Sequence, residues 1–325
     1  MIISRTPLRV SFCGGGTDID DFSMSEPKGG RVVSAALSRY VYVTINRRFD
    51  DRLRASYSTM EDVDSLDKIQ HDLIREALRL TGIDSGIEIT TIADIPGQGT
   101  GLGSSSTVTV GLLNAMHAFQ GREVSKEQLA EEACQIEIDT LGAPIGRQDQ
   151  YAASFGGVNS IRFGENGVKV EPIEVSEGLA KKFSENFTLV FTGLTRSASR
   201  VLSEESDDQF DKISRMREIR NHADEAASHI EQENLDSLGA ILNKTWLSKR
   251  EVSSIVTNKQ IDDLYERAIS SGAIGAKLLG AGNGGFLLVC GNRHLRGILQ
   301  RDLGESHRMF PLEIDFSGSK IIFGT

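Results

Sequence analysis

The sequence predicts mixed helices and strands in two parts, and three observations carry that expectation. The 325 residues suffice for one large domain or two ordinary ones, and the 39% that are apolar can form a sizeable core. Through the first part, β-branched runs alternate with segments of helical apolar spacing. After residues 180–190 the rhythm changes to long helical periodicities with short apolar runs between them. The expected division is therefore 1–185 and 186–325.

In order along the chain, residues 2–4 and 8–12 read as two short strands, and 40–45 as a third, β-branched and aromatic. Residues 53–57 are expected to pair with that third strand. Leu66, Ile69, Leu73, Ile74, Ala77 and Leu78 recur at helical spacing, with Gly82 as the stop. Residues 87–92 form the next strand, ending at Pro96 where a glycine-rich loop begins. A helix over 104–119 follows, and Ser125 with Gln128 has the spacing of a capping box for a helix reaching about Ile138. In the second part, 187–191 is a strand, and helices are marked by Ile213 to Ile230, Leu235 to Trp246 and Ile261 to Ile269. Residues 286–290, 309–314 and 320–323 complete the strands.

Composition narrows the function. Acids outnumber bases 46 to 36, a net charge of −10, which weighs against a nucleic-acid binder. Cys13, Cys134 and Cys290 lie far apart without a CxxC, so neither a disulfide scaffold nor a structural zinc site is expected. The six histidines show no HExxH or clustered ligand spacing. No apolar run approaches the ~20 residues of a membrane span, and the N-terminus lacks a signal-peptide core. The expected location is the cytoplasm, with neither membrane nor nucleic acid as partner.

Three glycine clusters stand out: PLRVSFCGGGTD at 7–18, PGQGTGLGSSS at 96–106 and KLLGAGNGGF at 277–286. In the second, four glycines alternate before three serines that open an apolar helix. Glycine lets backbone approach a ligand closely, and a helix N-terminus offers free N–H groups and partial positive charge, so the pair makes an anion cradle. A tight turn with a serine cap needs only one or two glycines. No lysine follows Gly103, so this is not a Walker loop, and the spacing is wrong for a dinucleotide fingerprint. Taken singly, the third cluster reads equally as a hairpin or a close-packed join, and the first as a strand-ending turn capped by Asp18.

Together and in this order, the clusters resemble the GHMP kinase superfamily over essentially the whole chain. PxGxGLGSSS lies at 96–106 with two extra residues in its glycine stretch, KxxGAGxGG at 277–285, and the first cluster matches PxRxxxxGxxTD of the sugar 1-kinase branch. That first cluster, GRQDQYAASFGGVN at 146–159 and TGLTRSAS at 192–199 are most similar to the branch acting on heptose 7-phosphate. Ala276 and Asn283 stand where relatives often carry glycine. The resemblance implies an α+β fold: an N-terminal domain like ribosomal protein S5 domain 2, then a ferredoxin-like C-terminal domain, with the active site between them.

It also implies roles. Pro96, Gly97, Gly99, Gly101, Leu102, Gly103, Ser104, Ser105 and Ser106 would bind ATP, and Ser105 with Glu137 would hold Mg2+. Asp149 would be the catalytic carboxylate, either accepting the sugar hydroxyl's proton or orienting that hydroxyl. Arg9 would offset charge near the moving phosphoryl group or tune Asp149. Gly16, Thr17, Asp18 and Gly282 would contact the sugar. For the substrate's own phosphate the candidates are Arg147, Arg196 and the Lys249–Arg250 pair, with Arg196 preferred; the role of Lys277 stays open.

The implied activity is ATP-dependent phosphorylation of the anomeric hydroxyl of heptose 7-phosphate to the 1,7-bisphosphate, towards nucleotide-activated heptose for surface polysaccharide. One alternative is a 1-kinase for an unphosphorylated sugar such as fucose. Another is a sensor that binds ATP and sugar without turnover, which would tend to lose Asp149 and Glu137. The sequence leaves the oligomeric state open; a homodimer is compatible with it.

Overall fold

A computed structural model describes residues 1–95, 99–195, 209–304 and 307–324. The chain opens with one long strand, β1 (Ile2–Cys13), where the sequence reads two. Pro7 does not break it, because the register shifts between Pro7 and Leu8, a place where a missing N–H is tolerated. After a single helical turn, α1 (Asp20–Ser23), comes β2 (Gly30–Arg47). Its length has a cause: one edge pairs with β1, while the other pairs first with β6 (Val158–Gly164) and then with β5 (Ile87–Ala93).

The expected pairing of residues 53–57 with 40–45 is not what forms. β3 (Leu53–Ser56) lies between β4 (Met60–Val63) and β5, so β5 takes the place beside β2. Helical spacing from Leu66 also overreaches. Residues 66–68 form one 3-10 turn, and α2 (Asp72–Thr81) starts only after His71, whose ring accepts from the Ile74 N–H. Gly82, at φ 73°, closes α2 where the sequence places the stop.

α3 (Ser104–Phe119) has the expected bounds and lies against β1 and β2. The approach is close: Ser4 Oγ donates to the Gly111 carbonyl at 2.7 Å, and a Cβ on Gly111 would sit 3.0 Å from Thr6 Oγ1. Val110, Leu112, Leu113 and Met116 are buried there with Leu8, Val10 and Phe12. α4 (Lys126–Cys134) is capped by Ser125, whose Oγ accepts from the Gln128 N–H at 3.1 Å. The continuation to Ile138 is a π turn over Gln135–Thr140 rather than regular helix. α5 (Gln148–Phe155) then leads to β6 and β7 (Gly167–Ile173).

α6 (Glu177–Asn186) precedes β8 (Phe187–Phe191). α7 (Gln209–Glu231), α8 (Leu235–Val252) and α9 (Lys259–Ser270) follow the predicted periodicities. β9 (Gly275–Leu278), β10 (Phe286–Cys290), α10 (Leu295–Leu303) and β11 (Met309–Pro311) complete a second sheet, ordered β11-β8-β10-β9. The strand expected at 320–323, β12 (Lys320–Gly324), does not join it. It pairs with β1 on the edge of the first sheet, whose order is β12-β1-β2-β5-β3-β4.

Candidate active site

Arg9 lies on β1 between the buried Leu8 and Val10, and its backbone N–H donates to the Leu102 carbonyl at 3.0 Å. That bond ties the second glycine cluster to the strand. The guanidinium forks onto Asp149 at the start of α5, Nε to Oδ1 and Nη2 to Oδ2, both at 2.7 Å. Its Nη1 donates to the Gly101 carbonyl at 2.6 Å. The Arg9 side chain is 5% exposed and that of Asp149 22%, so the fork is sheltered while the carboxylate still reaches solvent. Two parallel charge-assisted bonds fix the carboxylate's orientation as well as its position.

Gly99, Gly101 and Gly103 all take φ near the left-handed value, 73°, 74° and 75°. A Cβ on Gly103 would lie 3.2 Å from both Arg9 Cγ and Asp149 Oδ2, and one on Gly101 would lie 2.4 Å from the Leu279 carbonyl oxygen. The third cluster is the turn between β9 and β10, and it packs backbone to backbone on the second. Phe286 N–H donates to the Thr100 carbonyl at 3.1 Å, and a Cβ on Gly285 would sit 2.3 Å from that oxygen. Leu102 is buried beneath the loop, and Ser104 Oγ meets Thr100 Oγ1 at 3.2 Å. Gly103 then caps α3, whose own first turn carries no acidic side chain.

Beside that N-terminus, Glu137 projects from the π turn and is 2% exposed. Ser105 and Ser106 donate to its Oε2 at 2.9 and 3.2 Å, and Gln150 donates to Oε1 at 3.0 Å. Burial pushes its carboxyl up to about 7, against the opposing pull of those three bonds. Asp18 is also buried, which raises its carboxyl above the usual range. Gln148 donates to it through the backbone at 3.0 Å and the side chain at 2.9 Å, and Gly16 N–H adds a bond at 2.9 Å. Gln148, Asp149 and Gln150 are consecutive, so one turn of α5 addresses three carboxylates: its own and two brought in from elsewhere.

Other candidates are placed differently. Thr17 is fully buried, with its hydroxyl on the Gly14 carbonyl at 2.7 Å and the Arg31 N–H at 3.1 Å, so it braces the loop. A Cβ on Gly282 would meet Val256 Cα at 2.7 Å, a packing requirement of its own. Asn283 takes φ 57° and accepts from Asn258 Nδ2 at 2.7 Å. Arg147 forks onto Asp20 at 2.9 and 2.7 Å, and Arg250 pairs with Asp262 at 3.1 Å. Lys249 Nζ donates to the Gly280 carbonyl; burial, then the Arg9 charge, pushes its ammonium down to about 8. Lys277, 3% exposed, donates to the Ser11 carbonyl at 2.6 Å and is pushed down to about 7, chiefly by burial. Pro96, Gly97 and Arg196 lie outside the described residues.

The structure thus brings Arg9, Gly101, Leu102, Gly103, Ser105, Glu137 and Asp149 to one place, with Asp18 joined through Gln148. Sequence reasoning missed Gln148, Gln150 and Asp20. The signal for the first two was their position flanking Asp149.

The profile described as GHMP kinases N terminal domain matches residues 69–157, and that described as GHMP kinases C terminal matches 226–306. The chain belongs to the GHMP kinase family. Over 304 residues it is 31% identical to the D-glycero-alpha-D-manno-heptose 7-phosphate kinase of Campylobacter jejuni, covering 88% of each chain. Among solved structures it resembles a D-glycero-D-manno-heptose 1-phosphate kinase from Bacteriodes thetaiotaomicron, with TM-score 0.82, 23% identity and all of both chains covered. A putative sugar kinase from Campylobacter jejuni gives TM-score 0.79 at 28% identity, over 98% of this chain and 97% of that one.

Proposed function

We propose that the protein transfers the γ-phosphoryl group of ATP to the anomeric hydroxyl of a heptose 7-phosphate, giving the 1,7-bisphosphate in the cytoplasm. The observation that carries the reading is the Arg9–Asp149 fork set against a glycine loop at the N-terminus of α3. It occurs in a chain with a heptose 7-phosphate kinase as its 31% identical relative. Among the described residues, no helix is long and apolar enough to cross a membrane.

Phosphoryl transfer requires positioning and charge stabilisation more than covalent chemistry. The loop backbone from Gly99 to Gly103 and the first N–H groups of α3 cradle the phosphates. Asp149, held on both oxygens by Arg9, positions the sugar hydroxyl and takes its proton late, while the guanidinium offsets charge on the moving group. Asp18, locked by Gln148, keeps acceptor capacity for a sugar hydroxyl, since a carboxylate has about four lone-pair sites.

Glu137 and Ser105 fit Mg2+. They offer a carboxylate and a hydroxyl 2.9 Å apart at the cradle, and this cation favours one or two protein oxygens plus phosphates. When bound, it supplies charge neutralisation across the phosphate oxygens.

The test is product formation with Mg-ATP, followed by phosphorus NMR, on heptose 7-phosphate, free heptose, fucose, galactose and mannose. A new anomeric phosphate on heptose 7-phosphate alone is expected. Turnover of a free sugar without turnover of the phosphorylated heptose would reject the substrate. ATP binding with no transfer to any of them would favour the sensor.

A further inference from the structure

Around the loop at residues 14–18, most nearby arginines are matched to carboxylates. Arg147 forks onto Asp20, Arg31 donates to Asp224, and Arg217 forks onto Glu26 with both bonds at 2.8 Å. Arg220 is different. It is 7% exposed, yet among the described residues its hydrogen bond goes to the neutral amide oxygen of its neighbour Asn221. Its Nη1 makes only a long ion pair with Asp224 Oδ2, 3.9 Å away and beyond hydrogen-bond reach, while Arg31 donates to Oδ1 of the same carboxylate. Glu26, whose acidity Arg220 also influences, is committed to Arg217.

A buried guanidinium without a carboxylate at bonding distance is costly, and an anionic ligand removes that cost. The position suits such a ligand. Met216, one turn earlier on the same face of α7, covers Gly16, its methyl 3.2 Å from where a Cβ would sit. Gly16 N–H in turn holds Asp18. Two residues after Arg220, His222 meets Thr245 Oγ1 at 3.1 Å, and that oxygen lies 3.2 Å from Cys13 Sγ, so α7 is seated on the end of β1. Arg220 therefore lies about one helical turn, ~5.4 Å, along α7 from the residue that covers the sugar loop.

We propose that Arg220 receives the substrate's own phosphate, remote from the anomeric hydroxyl, and makes the enzyme selective for a phosphorylated sugar. This rests on the phosphosugar-kinase reading above. Arg147 and Arg250, expected from the sequence, already have carboxylate partners. Glu26, Asp20 and Asp224 do not repel the incoming dianion as free charges, because each is matched by its own arginine.

The experiment compares kcat and KM for heptose 7-phosphate and free heptose in wild type, Arg220→Gln and Arg220→Lys. Arg220→Gln should raise KM for heptose 7-phosphate by about 10- to 100-fold, the range for a lost charged hydrogen bond. Its KM for ATP and its kinetics on free heptose should stay as in wild type, and Arg220→Lys should recover part of the loss. A second readout uses inorganic phosphite, which should activate wild-type turnover of free heptose by filling the phosphate subsite and should not activate Arg220→Gln. Equal losses on both sugars, or equal phosphite activation of variant and wild type, would overturn the assignment while leaving the substrate reading intact. Wild type that shows no preference for the phosphorylated sugar would overturn both. Urea unfolding of Arg220→Gln separates a folding defect: a subsite arginine predicts stability at or above wild type, and a large loss would identify a structural role.

Discussion

Lys277→Met isolates the cost of an ammonium buried behind the active site. The folded protein holds this group down to about 7 against an ordinary 10.5, mainly by burial and next by the charge of Lys249. Between those values the unfolded chain keeps a proton that the folded chain gives up, so wild-type stability rises with pH across that window. Below about 7 the full cost applies: holding the group at about 7 instead of 10.5 costs about 5 kcal/mol. Methionine keeps the length and apolar stem but carries no charge. It loses the bond to the Ser11 carbonyl, worth about 1 kcal/mol. Lys277→Met should therefore be more stable than wild type by about 4 kcal/mol at pH 6 and nearly equal to it at pH 9.5. Relief of Lys249 from a neighbouring charge acts in the same direction. Urea unfolding at the two pH values measures the difference. A variant less stable at pH 6, or a difference independent of pH, would refute the reasoning.

Three further outcomes are expected. Asp149→Asn should lower kcat by about 100-fold or more while leaving ATP affinity within about threefold; parallel losses in titration calorimetry and turnover would remove Asp149 from the chemistry. Gly101→Ala puts a methyl 2.4 Å from the Leu279 oxygen at φ 74°. Strain and overpacking of about 2–4 kcal/mol should lower the unfolding midpoint and raise KM for ATP, and an unchanged KM would mean that the loop contact does not shape the cradle. Glu137→Gln should fold normally, because the buried Gln150 Oε1 has no partner among the described residues and can turn to accept from the new amide. Nucleotide affinity should then become insensitive to Mg2+, and calorimetry with and without EDTA distinguishes this from retained metal dependence.

What the sequence revealed depended on how local the signal was. The bounds of α3 and the Ser125 cap follow from features within one turn, and both stand as expected. Gly82 likewise stops α2 by its own backbone geometry. Pairing is not local. Residues 53–57 carry strand chemistry but nothing that selects β5 over β2 as neighbour, and residues 320–323 carry nothing that selects the first sheet over the second. The π turn at Glu137 escaped because its apolar spacing continues that of α4. The β6–β7 hairpin was missed although Asn166-Gly167 closes it, a dipeptide common in tight turns. In the site, glycine spacing pointed to the cradle, but no spacing discloses that Leu279 presses on Gly101 or that Arg147 is matched by Asp20.

The return of β12 to β1 bears on how the chain is made. Gly324 is made more than three hundred residues after its partner Ile2, so during that interval β1 presents a bare outer edge. Thr6 Oγ1 likewise waits for Ser319, 2.8 Å away in the finished fold. The nascent first sheet thus resembles an unzipped seam, open to adhesion between neighbouring polysomes until residues 320–324 emerge. Yield in cells should accordingly follow chaperone supply more closely than the equilibrium stability of the completed enzyme.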